Sequence, residues 1–220
     1  GRAKYVADLC DQSALVAKIC HSTIAHGYVK SIDTAEAEAY LERLMAEKDS
    51  SGGVVECVIE GLPAGIGEPV FEKLDANLAK AILSIGAVKG FEIGSGFGAA
   101  AMRGSENNDA FAAAGRGGAS PAAVKRTNHA GGTLGGISDG SPVIFRAAFK
   151  PTPSIARPQH TVDRFGREQE IEIRGRHDPI IVPRAVVVVE AMAALTAADL
   201  LLLSMSSRLD RIQAFFGTGE

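Results

Sequence analysis

The chain has 220 residues, 46% of them hydrophobic and 22% charged, with a net charge of −3. That is ample for a buried core, and we expect a single domain over residues 1–220. A mildly acidic balance supplies no general basic field for nucleic acid or an anionic membrane surface, so local basic clusters must provide any anion binding.

In chain order, residues 3–19 carry a weak helical pattern, and no charged-then-apolar leader is read ahead of them. Asp33 with Glu36 reads as a variant of the capping box. Behind it, Ala37, Tyr40, Leu41, Leu44 and Met45 share one helical face. Asp49-Ser50-Ser51-Gly52-Gly53 stops this helix, and the β-branched run Gly53–Glu60 predicts a strand. After the loop Gly61–Gly67, a second helix is expected to start near Pro69. Its apolar face would hold Val70, Phe71, Leu74, Leu78, Ala81, Ile82 and Ile85, with Gly86 as a cap.

Phe91–Ile93 predicts a short strand, and residues 104–142 a long glycine-rich loop region, the kind that is functional or disordered. Val143–Phe149 is a further strand. Thr161–Asp163 and Glu168–Ile173 predict a hairpin around Arg164-Phe165-Gly166-Arg167. The run Ile180–Met205 is strongly apolar but is interrupted by Arg184, Glu190 and Asp199, which favours a buried core helix from Pro183 over a membrane span. Strands and helices without regular βαβ spacing indicate an α+β fold. Cys10, Cys20 and Cys57 show no CxxC pair and no metal-ligand spacing, so we expect no metal and a reducing, cytoplasmic setting.

Four segments could carry chemistry. Arg174, Arg176, His177 and Asp178 precede the long helix, where guanidinium forks and a helix N-terminus both favour anions; a salt-bridged cap explains them equally well. Asn128–Gly136 places paired glycines where backbone can approach a ligand, although a surface loop is the simpler reading. Lys150-Pro151-Thr152-Pro153-Ser154 joins a cation and two hydroxyls in a proline-stiffened turn, and Arg103–Asp109 is a fourth polar cluster.

In this order, the segments resemble the chorismate synthase family. The matching stretches are Gly61–Phe71, Ala87–Gly94, Arg103–Asp109, Asn128–Gly140, Lys150–Ser154, and Gly175–Pro179 with Val182–Ala185. The resemblance implies a β-α-β sandwich with a long buried helix. It also implies a lyase that eliminates phosphate from 5-enolpyruvylshikimate 3-phosphate to give chorismate, a step in aromatic amino acid biosynthesis. Reduced FMN is the implied cofactor, with NADPH as a reductant in some relatives, and a homotetramer the implied assembly. Carried over by position, the flavin contacts are Gly86, Ala87, Gly135, Lys150, Pro151, Thr152, Pro153, Ser154 and Arg176, and Asp178 is the catalytic aspartate.

Residues 112–127 depart from the family pattern and are expected to form a rebuilt or disordered loop. The family's N-terminal Ser-His-Gly, Arg-Pro-Gly-His-Ala-Asp and Gly-Gly-Arg-Ser-Ser-Ala-Arg motifs are not found, so neither His21 nor His26 takes a catalytic role. The chain is therefore expected to correspond to the C-terminal part of such an enzyme, with residues 1–32 unassigned. The alternatives are a catalytically incomplete flavin- or anion-binding module and an assembly fragment.

Overall fold

The computed structural model describes residues 15–18, 35–113, 123–175, 177–207 and 209–217. The expected capping box at Asp33 and the flavin candidate Arg176 lie outside these residues. The described residues fall into two compact units, bounded as Gly1–Val55 with Ala148–Val186 and as Glu56–Ala147 with Val187–Glu220. Helices and strands mix as an α+β fold. Four strands form one sheet in the order β1 (Leu15–Lys18), β2 (Gly53–Ile59), β8 (Val143–Phe149) and β3 (Val88–Ile93). The strand at Leu15–Lys18 replaces the helix expected over residues 3–19 where the two overlap.

In the first unit, α1 (Ala35–Glu47) buries Leu44 alone, while Met45 on the expected apolar face is exposed. The helix ends as the sequence predicts. Lys48 turns to a φ of 54°, and the Asp49 amide donates to the Leu44 carbonyl at 2.9 Å. The hairpin of β9 (Gln159–Val162) and β10 (Glu168–Ile171) pairs Glu168 with Val162 and Ile171 with Gln159. Asp163 closes its turn by accepting the Phe165 and Arg167 amides at 2.8 and 3.0 Å.

In the second unit, α2 (Leu74–Leu83) packs on β3 and buries Leu74, Leu78 and Ile82, spaced one helical turn apart. It begins five residues later than expected: Val70 and Phe71 are exposed and stand outside it. Its end is capped by Ser84, so Gly86 lies in the turn that follows. Inward residues Val143, Phe145 and Ala147 alternate along β8, and Phe145 stacks on Phe91 with ring centroids 5.3 Å apart.

Between β3 and β8 the glycine-rich region is built of small pieces. These are a 3₁₀ turn (Gly96–Ala101), α3 (Gly104–Asn107), the antiparallel pair of β4 (Phe111–Ala113) with β5 (Ala123–Lys125), and the hairpin of β6 (Thr133–Leu134) with β7 (Ile137–Ser138). Within the stretch 112–127, expected to be a rebuilt or disordered loop, residues 112–113 and 123–125 form part of an antiparallel strand pair.

Helix α4 (Val182–Ser206) has the expected length and is followed by α5 (Leu209–Phe215). Its burial is narrower than a core helix requires. Val182, Ala185, Val189, Ala193, Ala197, Leu200 and Ser204 form one buried stripe, whereas Val187, Val188, Leu195, Leu202 and Leu203 are exposed. Length and composition would allow it to cross a membrane, but Glu190 and Asp199 interrupt its exposed surface.

Gly52 shows the packing constraint most sharply. A Cβ there would lie 2.3 Å from the Phe149 carbonyl oxygen and 3.2 Å from the Pro151 ring. Gly52→Ala should therefore destabilise the protein by about 2 kcal/mol through overpacking, read as a lower urea midpoint with an unchanged slope.

Candidate functional site

The first unit brings two of the sequence-predicted segments against one short stretch of chain. The Ser50 hydroxyl donates to the Thr152 carbonyl at 2.7 Å, and the Ser51 amide donates to the Pro179 carbonyl at 2.8 Å. Ser51 also bridges to Ile180 in parallel register. The Lys150–Ser154 turn and the Asp178–Ile180 segment therefore flank Ser50–Gly52. Tyr40 fixes this stretch from α1, its hydroxyl donating to the Ser51 hydroxyl at 3.1 Å. Nearby, Arg157 pairs with Asp49 at 2.7 Å. The Ser50 amide, aided by Arg157, outweighs burial and holds the Asp49 carboxyl below its ordinary range.

The turn itself is braced from inside. The Pro153 carbonyl accepts the Ile155 amide and the Gln159 side chain, each at 3.1 Å. Lys150, Pro151 and Pro153 are exposed, while Thr152 and Ser154 are half-buried, so a cation and two hydroxyls are available at one strand end. Asp178 is half-buried and pairs at 2.7 Å with Arg184, which stands in the first turn of α4. His177, beside it, contacts the Ile173 carbonyl through Nε2 at 3.1 Å.

The second unit carries Gly86, Ala87 and Gly135. Gly86 is exposed with open space around it, and Ala87, half-buried, adopts a φ of 71°. Gly135 and Gly136 are the two central residues of the β6–β7 hairpin, at φ values of 60° and 84°. Two positive φ angles are the demand of the mirror-image hairpin turn, which accounts for this glycine pair without a ligand. Gly135 is exposed, and an added Cβ would meet nothing within 4 Å. Gly131 is different: a Cβ there would strike the backbone of Gly94 at 2.4 Å.

The best-defined electrostatic feature of this unit went unread in the sequence. The Lys125 ammonium, 3% exposed, sits between Asp109 at 3.7 Å and Asp139, to which it donates a short hydrogen bond; their side chains are 4% and 8% exposed. Asp109 also accepts the Thr127 hydroxyl at 2.7 Å and the His129 and Ala130 amides at 2.7 and 2.9 Å. Burial opposes the Asp109 charge. The Ala130 and His129 amides, Thr127 and Lys125 outweigh it and hold the carboxyl at about 2. Asp139 is likewise lowered, with burial overcome by Lys125 and Ser141.

The same turn places the His129 Nδ1 3.0 Å from the Ser95 hydroxyl. A shallow cavity of about 630 Å³ opens beside it, lined by Asn107, Asp109, Phe111, Ala130 and Leu134 among others. Elsewhere in this unit, burial pushes the Cys57 thiol up to about 11, aided by Glu190, so the thiol is an inert core group. The described residues contain no cluster suited to a metal ion.

The family model for chorismate synthase matches residues 10–202. The chain is 63% identical over 190 residues to chorismate synthase of Agathobacter rectalis, an overlap covering 86% of this chain and 50% of that protein. It is 65% identical over 181 residues to the Lachnoclostridium phytofermentans protein of that name, covering 82% and 48%. For the Methanosarcina mazei protein the values are 55% over 180 residues, covering 80% and 48%. A solved structure described as a crystal structure of chorismate synthase superposes with a TM-score of 0.62 at 33% identity, over 78% of this chain and 43% of that one. The chain thus spans about half the length of the curated relatives it matches.

The depressed Asp109 carboxyl sets a pH dependence. Its contribution to stability is present above the unfolded value near 4 and is lost as pH falls through about 2. Acid unfolding curves should show a loss of about 2 kcal/mol across this window that is absent in Asp109→Asn.

Proposed function

This chain belongs to the chorismate synthase family, and we propose that it provides the flavin-facing, proton-handling part of an enzyme that eliminates phosphate from 5-enolpyruvylshikimate 3-phosphate. The observation that carries this reading is the pairing of sequence and geometry in the first unit. Lys150–Ser154 and Asp178, the family's cofactor and catalytic positions, flank Ser50–Gly52 in a chain 63% identical to a named member.

The reaction breaks one ring C–H bond and one C–O bond. The intervening double bond shifts, phosphate leaves with the C–O electron pair, and the proton passes to a base. Developing negative charge on the leaving group calls for preorganised cations and donors. Asp178 is the proton-handling group in this reading. Arg184 holds its carboxylate in one orientation, a half-buried position compatible with a proton carrier.

The donor set fits a flavin. In the first unit, Lys150 with the Thr152 and Ser154 hydroxyls offers a cation and polar hydrogens; in the second, taken by itself, Gly135 and Gly86 leave backbone uncovered. By the resemblance, Lys150, Pro151, Thr152, Pro153, Ser154 and Arg176 would be the first unit's contacts to the cofactor, and Gly86, Ala87 and Gly135 the second unit's. Reduced FMN, when bound, would supply the electron density that assists C–O cleavage. Reduction by NADPH and a cytoplasmic location belong to the same reading.

A second reading, an assembly role, draws its support from α4. Its exposed Val187, Val188, Leu195 and Leu202 form an apolar surface that a partner helix would cover, consistent with the family's tetramer.

The chain should be mixed with reduced FMN and 5-enolpyruvylshikimate 3-phosphate while flavin absorbance and released phosphate are followed. Turnover supports the enzyme, flavin binding without turnover supports a binding module, and no flavin binding contradicts both. In an active preparation, Asp178→Asn should slow phosphate release at least about 100-fold while FMN affinity stays within about twofold. Unchanged turnover would remove Asp178 from the mechanism.

A further inference from the structure

Lys125 lies outside every stretch that matches the family, yet its two partners, Asp109 and Asp139, lie within two of those stretches, and together the three grip the glycine-rich one by both ends. At the start of the glycine-rich segment, Asp109 takes the Thr127 hydroxyl and the amides of His129 and Ala130. At its far end, Asp139 takes the Ser141 amide at 2.8 Å, and its own amide donates to the Gly132 carbonyl at 3.1 Å. Lys125 lies between the two carboxylates and is nearly free of solvent. Two buried carboxylates this close repel unless a cation divides them, so removing Lys125 loosens both ends of the segment together.

Between those ends stands the β6–β7 hairpin with Gly135 at its tip. Two bonds on its far side report its position without touching the cluster. The Leu74 amide donates to the Gly136 carbonyl at 2.7 Å, and the Ser138 amide donates to the Ile66 carbonyl at 2.9 Å.

We propose that Lys125 is a positioning residue: its buried ammonium, set between Asp109 and Asp139, ties the ends of segment 127–141 and so fixes the hairpin that presents Gly135. The consequence for cofactor binding rests on the flavin reading above. Lys125 does not touch the cofactor; it acts through the loop. A residue of this kind is separable from one that merely stabilises the fold, because stability and presentation respond to different changes.

Two variants of the full chain make the separation. Lys125→Met leaves the two carboxylates facing each other without a cation. Lys125→Met with Asp139→Asn removes the repulsion, leaving Asp109 satisfied by its three uncharged donors, but does not restore the tie. The readouts are melting temperature, hydrogen exchange at the Leu74 and Ser138 amides under folded conditions, and FMN affinity by fluorescence quenching.

We expect the single variant to lower the melting temperature and the FMN affinity and to speed exchange at Leu74 and Ser138. The double variant should recover most of the melting temperature, while exchange at Leu74 and Ser138 stays faster and FMN affinity stays about tenfold weaker than in the parent. If exchange and affinity recover along with melting temperature in the double variant, Lys125 only balances charge and the proposal is overturned. It is overturned equally if neither variant alters exchange or affinity. Should the parent itself fail to bind FMN, the flavin reading falls, and exchange at the two amides alone decides whether Lys125 positions the hairpin.

Discussion

One buried ammonium organises the glycine-rich half of this protein. Taking Lys125 out of water costs several kcal/mol, and the cost is offset only because two carboxylates and their own donors surround it. Asp109 in turn gathers three donors from a stretch that would otherwise leave its amides unpaired. Order passes from that cluster to the turn at His129, to the close approach of Gly131 and Gly94, and to the hairpin that displays Gly135. Each step depends on the previous one. The first unit has its own organising element, the Ser50–Gly52 stretch, which reaches the Lys150 turn on one side and the Asp178 segment on the other.

These two arrangements share a logic. Groups that the flavin reading assigns to a ligand are exposed or half-buried, and the hydrogen bonds that aim them are made by neighbours to which that reading assigns no ligand role. Lys150 is exposed while Pro153 and Thr152 are braced through their carbonyls. Asp178 is held by Arg184, and the Gly135 hairpin by the bonds that Leu74 and Ile66 make to its flanks. A site built in this way tolerates change at its tips more readily than at its supports.

The sequence made the strand at Val143–Phe149, the turn at Asp163–Gly166 and the α4 helix legible, because alternation, turn residues and a long apolar run are local signals. It misplaced the start of α2, since Pro69 marks a helix N-terminus only when the following residues pack, and Val70 and Phe71 do not. Burial of α4 was overread for a related reason: apolar composition reports what a surface would prefer, not what covers it. The family resemblance is what singled out Lys150, Gly135 and Asp178 as candidates. Lys125 and Ser50 carried no such label, because their role arises from contacts across 14 to 102 residues of sequence that no local pattern records.

Whether this chain carries a flavin-facing surface of a chorismate synthase is tested most directly by titrating FMN into isotopically labelled chain and following backbone amide resonances. The flavin reading predicts saturable shifts concentrated at Thr152, Ser154, Ala87 and Gly135, with the β9–β10 hairpin unmoved. Shifts absent from those residues at saturating FMN, or confined to the exposed face of α4, would contradict it.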